Sequence, residues 1–196
     1  MTVTGVVLAA GRSSRLGSPK QLLPYRDTTV LGATLEVARS AGFDQLIVTL
    51  GGAGETVRAV RNQVALDGAD VVTVKDFGDG CSASLRVALD RVNPRADGIV
   101  LMLGDQPRLD PKTLQSMVSQ HTDDITVCRY TDGIGHPFWF SRNIFGELSQ
   151  LHGDKGVWKL IESGRFPVHE LAVHGTVPLD VDTWDDYRRL LATAQS

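Results

Sequence analysis

The sequence predicts an α/β fold, a mostly parallel sheet with helices on both faces, and three features of the chain carry that expectation. Short apolar runs rich in β-branched residues recur through the first half and read as strands buried on both sides. Amphipathic stretches of helical period separate them, and the alternation is strict up to about residue 110, as parallel strands joined by helical crossovers require. Several of these runs end in glycine, at Gly11, at Gly51-Gly52 and at Gly104.

The elements follow in order. The first strand is the apolar run through Val6-Val7-Leu8-Ala9. Residues 28–41 read as a helix with Leu31, Leu35, Ala38 and Ala41 on one face, stopped by Gly42. Residues 45–50 form the second strand, 55–66 a helix through Val57, Val60 and Val64, and 70–75 the third strand. A glycine-rich loop from Asp76 leads into a helix that ends near Val92. The fourth strand, Gly98 to Leu103, is the most apolar and is expected at the centre of the sheet. Beyond residue 110 the rhythm loosens: a helix at 111–120, then strands at 125–130 and 136–140 around Asp132-Gly133, which suggests a hairpin and a mixed sheet. Short helices near 143–150 and 155–162, an extended stretch at 166–173 and a last short strand ending in Leu179-Asp180-Val181-Asp182-Thr183 precede a helix at 184–193.

At 196 residues the chain is expected to be one domain, burying roughly 70% of the surface its unfolded form would expose. The formal net charge of −3 disfavours nucleic acid as a partner. No run approaches the roughly 20 apolar residues of a membrane span, and no basic-then-apolar leader precedes the first strand. A cytoplasmic protein away from membranes is expected. Cys81 and Cys128 have no metal-ligand spacing and read as two reduced thiols. No histidine stands near Cys81 in sequence to activate it as a nucleophile.

The organising stretch is Val6 to Lys20. Gly11 and Gly17, two serines and a proline stop the strand from continuing. Between Gly5 and Arg26 there is no acidic residue, whereas Arg12, Arg15, Lys20 and Arg26 are cationic. A glycine-bearing loop at the carboxyl end of a buried strand, with amides and positive charge, suits a polyphosphate. A basic surface loop without a ligand is the plainer alternative. Lys20 follows proline and precedes glutamine, so this is not a Walker motif, and no Gly-x-Gly follows the strand as a dinucleotide fingerprint would need.

Leu8-Ala9-Ala10-Gly11-Arg12-Ser13-Ser14-Arg15-Leu16-Gly17-Ser18-Pro19-Lys20 resembles the signature of the molybdopterin-type nucleotidyltransferases. Its continuation, Pro19-Lys20-Gln21-Leu22-Leu23-Pro24, looks most like the branch that cytidylylates molybdenum cofactor. The resemblance implies a single nucleotidyltransferase domain over 1–196 with the Rossmann-like nucleotide-diphospho-sugar transferase fold. It implies Arg15, Lys20 and Asp105 as catalytic residues. Leu8, Ala9, Ala10, Gly11, Arg12, Ser13 and Lys20 would then lie against the nucleotide.

Asp105 ends a strand that is otherwise apolar, and a carboxylate there can bind a hard cation bridging phosphates, or simply cap the next helix. The resemblance, through Gly104-Asp105-Gln106-Pro107, makes it a magnesium ligand. Asp182 is expected at another strand end as the second ligand, in a segment resembling the family's Asp-Ile-Asp-Thr-Pro-Glu-Asp with Trp184 in place of proline. Alternation points Asp180 to the opposite face, and Thr183 reads as a helix cap. The Gly78 to Ser84 loop fits a weak Gly-x-Gly-x-x-Ala dinucleotide pattern, or else resembles the family's Gly-x-x-x-Ser-Leu, in which Gly80 and Ser84 lie against base and ribose. The second is preferred. Gly135-His136-Pro137 resembles a family segment facing the acceptor, where His136 would bond a pterin or phosphate, unless it is a structural histidine of a strand. Gly153-Asp154-Lys155-Gly156 has a family counterpart near the acceptor pocket, and is otherwise a turn before a helix.

The reading is therefore a magnesium-dependent transfer of CMP from CTP to the phosphate of molybdopterin or molybdenum cofactor, releasing pyrophosphate, with a molybdoenzyme as possible recipient. Alternatives are a guanylyl- or other nucleotidyltransferase with a sugar phosphate or phospho-acid as acceptor, and a non-catalytic nucleotide-binding or cofactor-delivery protein.

Overall fold

A computed structural model describes residues 1–52, 54–75 and 80–193. The first strand, β1 (Val3–Ala9), is buried at every position. Its side chains alternate between two cores: Val3, Val7 and Ala9 enter one, Val6 and Leu8 the other. β2 (Pro24–Tyr25) and β3 (Thr28–Thr29) make a small antiparallel ribbon, and α1 (Val30–Ser40) starts where the Thr29 side chain accepts from the Gly32 amide at 3.0 Å. β4 (Gln45–Gly51), α2 (Gly54–Gln63), β5 (Asp70–Val74), α3 (Cys81–Leu89) and β6 (Gly98–Leu103) continue the predicted alternation. α4 (Pro111–Gln120) has Pro111 in its first turn and Asp110 as its cap, accepting from the Thr113 amide at 2.9 Å. β7 (Ile125–Arg129) and β8 (Ile134–Ser141) form the expected hairpin, and α5 (Phe145–Ser149), α6 (Gly156–Glu162), β9 (Val168–Ala172) and α7 (Trp184–Thr193) complete the chain.

Among the described residues the sheet runs β5-β4-β1-β6-β8-β7-β9, with β6 at its centre. β1 pairs in parallel with β4 and β6, β4 with β5, and β7 with β9, while β8 is antiparallel to both its neighbours. Helices α1, α2 and α4 cover one face through Leu31, Leu35, Val57, Val60, Leu114 and Met117. Helices α3, α5 and α6 cover the other through Leu85, Ala88, Leu148, Val157 and Leu160. Ala41, expected on the buried face of α1, lies just past its end and is half-buried.

The strands progress outward from β1 to β5 on one side, and β6 then returns to the other side of β1. The chain leaving β1 therefore heads for β4 and the chain leaving β6 for the opposite edge, a topological switch of the kind at which open α/β sheets place ligands. The expected last strand at 179–183 is not one: among the described residues the segment carrying Asp180 and Asp182 has no sheet partner. It docks through a main-chain bond from the Val181 amide to the Asp105 carbonyl at 3.1 Å. Val181 is fully buried in a satellite cluster with Leu16, Leu23, Tyr25, Val30 and Leu190. Among the described residues no helix is long and apolar enough to cross a membrane.

Candidate functional site

The loop that follows β1 folds on itself. The Leu16 and Gly17 amides donate to the Ser13 carbonyl at 3.0 and 3.2 Å, with Ser13 and Gly17 both in the left-handed region. The Ser13 hydroxyl accepts from the Lys20 amide at 3.0 Å. Beneath the loop sits Gln21, only 3% exposed, whose amide nitrogen donates to the Ala9 carbonyl at 2.7 Å. The outer side of the loop faces a cleft of about 630 Å³ lined by Gly11, Arg12, Ser13, Gln21, Gly52 and Thr56, among others. Of the residues expected against a nucleotide, Gly11, Arg12 and Ser13 line this cleft. Leu8, Ala9 and Ala10 are buried behind it, with the first two side chains on opposite faces of the sheet.

The loop's cations already have partners, which the sequence did not suggest. The Lys20 ammonium donates to Asp105 and also to Asp182, the latter at 2.8 Å. Arg15 donates to the other oxygen of Asp182 at 3.0 Å. The side chains of Lys20 and Asp105 are 12% and 14% exposed, that of Asp182 41%. Burial works against the Lys20 charge, but the Asp105 and Asp182 carboxylates outweigh it and hold its pKa above the ordinary value. Burial likewise opposes ionisation of Asp182, and Lys20 and Arg15 overcome it, holding that carboxyl below its ordinary value. Arg15, Lys20, Asp105 and Asp182 thus form one cluster at the carboxyl ends of β1 and β6.

Two further groups stand behind these. Gln106, 2% exposed, donates to Asp180 at 2.7 Å. Burial, and then the neighbouring Asp105 charge, push the Asp180 carboxyl up to about 6. Asp180 and Asp182 take different partners, Gln106 and Lys20, from an extended loop rather than the expected strand. Thr183 caps α7 as expected, its hydroxyl accepting from the Asp186 amide at 3.2 Å, and Trp184 opens the helix.

Asp105 and Asp182 both reach one ammonium, so their oxygens converge on a common point. Hard carboxylate oxygens of this number suit a magnesium-like cation that takes its remaining ligands from water and phosphate. Among the described residues no group of three or more His, Cys, Asp and Glu is arranged to hold a metal by itself. The donor set fits a cation shared with a substrate, not a closed structural metal.

Gly80 opens α3 at φ +77°, and a side chain there would meet Asp154 atoms within 3 Å. Asp154 accepts from the Cys81 amide at 3.0 Å, and Ser82 donates to the Gly153 carbonyl at 2.6 Å. The Gly153-Asp154 turn therefore takes the amino terminus of α3 with its own carboxylate, and Ser84 is buried within the helix. Gly78, the first glycine of the dinucleotide pattern, lies outside the described residues. Cys81 borders the same cluster. Desolvation by the surrounding protein, and then the Asp154 charge, push the thiol of this surface-exposed cysteine up to about 11. His136, on β8, is 7% exposed, packs at 4.1 Å between ring centroids on Phe138 and stands edge-on to Trp158. Burial lowers its pKa to about 3, so the ring is neutral, as a structural histidine would be.

Gln21, Gln106 and Asp154 lie inside sequence motifs that do not show their bonds, since their partners are the Ala9 carbonyl, Asp180 and the Cys81 amide.

A crossover sheet with a glycine-bearing loop and two carboxylates at its topological switch is the frame of a nucleotidyltransferase. The chain belongs to the MobA-like NTP transferase domain family, whose sequence model matches residues 5–170. It is 30% identical to the purine catabolism protein PucB of Bacillus subtilis over 193 residues, covering 93% of each chain. It is 34% identical to the nicotine blue oxidoreductase of Paenarthrobacter nicotinovorans over 200 residues, covering 96% of each. Among solved structures it superposes on Rv0371c of Mycobacterium tuberculosis H37Rv with a TM-score of 0.93 at 72% identity, covering 98% of both chains. A manganese complex of Rv0371c gives 0.89 at 68% identity, covering 98% of this chain and all of that one.

Proposed function

We propose that this chain transfers CMP from CTP to the terminal phosphate of molybdopterin or molybdenum cofactor, in the cytoplasm, for a molybdoenzyme that receives the product. A phosphate oxygen of the acceptor attacks the α-phosphorus of CTP. The new phosphorus–oxygen bond forms as the bond to the β-phosphate breaks, and pyrophosphate leaves. A phosphate monoester has a second pKa of about 6, so the nucleophile is already an anion and needs no general base. The obstacle is bringing two anions together, which calls for cations and positioning.

Lys20 and Arg15, beside the cleft, donate to triphosphate oxygens and stabilise the leaving pyrophosphate. The amides of Gly11, Arg12 and Ser13 seat the phosphates, and Gly80 and Ser84 belong to the wall near the base. Asp105 and Asp182 hold magnesium, which when bound supplies charge neutralisation at the reacting phosphates. His136, neutral on β8, is the residue assigned to hydrogen-bond the pterin or its phosphate. The observation that carries this reading is the convergence of Lys20, Asp105 and Asp182 on one point, with the Lys20 stem against Gly11, which lines the cleft. The choice of CTP rests on Ala10 where guanine-using members of the family commonly carry glycine, and on the Pro19 to Pro24 segment.

The test is pyrophosphate release from CTP, GTP, ATP and UTP, each with and without molybdopterin and with magnesium. Release from CTP that depends on molybdopterin is expected. Preference for GTP moves the chain to the guanylyl branch, and release with none of the four refutes the proposal. Since one relative is named an oxidoreductase, the panel includes reduced nicotinamide dinucleotides. Their oxidation with an added quinone dye as hydride acceptor, without pyrophosphate release, overturns the transferase reading.

A further inference from the structure

The position in which Asp105 and Asp182 converge is also the position of a charge the chain itself supplies. The Lys20 ammonium bonds both carboxylates, and its side chain is slightly more buried than that of Asp105. A divalent ion taking the same oxygens would stand within a few ångströms of that ammonium, where like charges repel strongly at low effective dielectric. Both cannot stay.

The backbone makes exchange feasible. The Lys20 amide is fixed by the Ser13 hydroxyl, while the four-carbon stem of lysine leaves its head free to swing. The stem passes over Gly11, where an added side chain would come within 3.5 Å of Lys20 Cε. Gly11 also lines the cleft, so an ammonium leaving the carboxylates has the phosphate-facing side of the loop within its reach.

We propose that Lys20 is a resident cation holding the place of the divalent metal. A metal ion binds Asp105 and Asp182 only as the ammonium leaves them, and a nucleoside triphosphate drives the exchange by offering Lys20 other anions. This rests on the reading of Asp105 and Asp182 as metal ligands. It follows that metal alone binds weakly, and that metal and nucleotide raise each other's affinity by the same factor.

The test is binding of manganese alone to the full chain, followed through the free-ion electron paramagnetic resonance signal, in the wild type and in Lys20→Met. Removing the competing charge should tighten manganese binding roughly tenfold or more, as expected when a close ion pair stops opposing the ligand. Equal or weaker binding in Lys20→Met overturns the proposal while leaving the metal reading intact. A second measurement needs only wild-type protein and so holds if that variant does not fold. With ¹³C-labelled lysine, the Lys20 Cε signal should move and saturate in step with magnesium binding. Saturation with that signal unmoved overturns the proposal. Absence of manganese binding in both proteins, with CTP present as well as without, refutes the metal reading and the proposal with it.

Discussion

The Val181 amide donates to the Asp105 carbonyl at 3.1 Å, and this bond sets Asp182 beside a turn far from it in sequence. Val181 is also buried against Leu16 and Leu190, so the segment is anchored by its apolar side chain while the aspartates on either side bond Gln106 and Lys20. Asp182 owes its place to this anchor, and Lys20 meets both carboxylates because of it.

Lys20→Ala should leave a folded protein with little turnover. Deleting one partner of a desolvated charge pair costs roughly 2–5 kcal/mol, so a loss on the order of 30-fold or more in pyrophosphate release is expected. Circular dichroism checks the fold. Activity within about threefold of wild type contradicts the role given to Lys20.

Asp105→Asn and Asp182→Asn should each abolish metal-dependent activity, and the double variant should be little worse than either single one. Residues sharing one ion are strongly non-additive. A double-mutant cycle on kcat/KM decides this, and losses that multiply independently argue against a shared ion.

Gln21→Glu should destabilise the protein at neutral pH by about 1–3 kcal/mol, since a carboxylate oxygen would replace the donor facing the Ala9 carbonyl. For a domain of this size that is a melting shift of roughly 2–12 °C. The deficit should shrink near pH 4–5, where the introduced carboxyl takes up a proton and can donate again. Thermal melts across that range, beside Gln21→Met, separate lost hydrogen bonding from buried charge. An unchanging deficit assigns the effect to packing alone.

His136 predicts a pH dependence with a definite sign. Its folded pKa, lowered by burial to about 3, lies below the unfolded value near 6.5. Below pH 6.5 the unfolded chain takes up a proton that the folded one refuses, so stability falls with pH over that window. At pH 5 the deficit from this group is about 2 kcal/mol. Urea titrations at pH 7.5 and 5 should show His136→Gln losing about that much less than wild type between the two. Parallel losses in both proteins place the imidazole in contact with water.

The two halves of the molecule were unequally legible. β1, β4 and β6 announced themselves because burial on both faces leaves an uninterrupted apolar run, and α4 and α7 because cap and period agree. The alternation in Leu179-Asp180-Val181-Asp182 also reads as a strand, and there the reading failed. Strand pattern records which side chains are buried, but not whether a neighbouring strand exists to pair with. Val181 is buried in a satellite cluster, and the sheet never reaches it.

By itself the sequence determined the layered α/β frame and the acid-free loop ending at Lys20. It also placed Asp105 at the end of the central strand, because short-range periodicity and turn chemistry act within a few residues. Only the tertiary structure decided what the loop's charges meet. Lys20 is separated from Asp105 by 85 residues and from Asp182 by 162, and their encounter depends on the strand order and on the burial of Val181. Two cations of the loop that reads as positive along the chain, Arg15 and Lys20, are in the folded protein paired with carboxylates brought from two other segments. Coulomb energy depends on distance in space, which no local pattern in the sequence records.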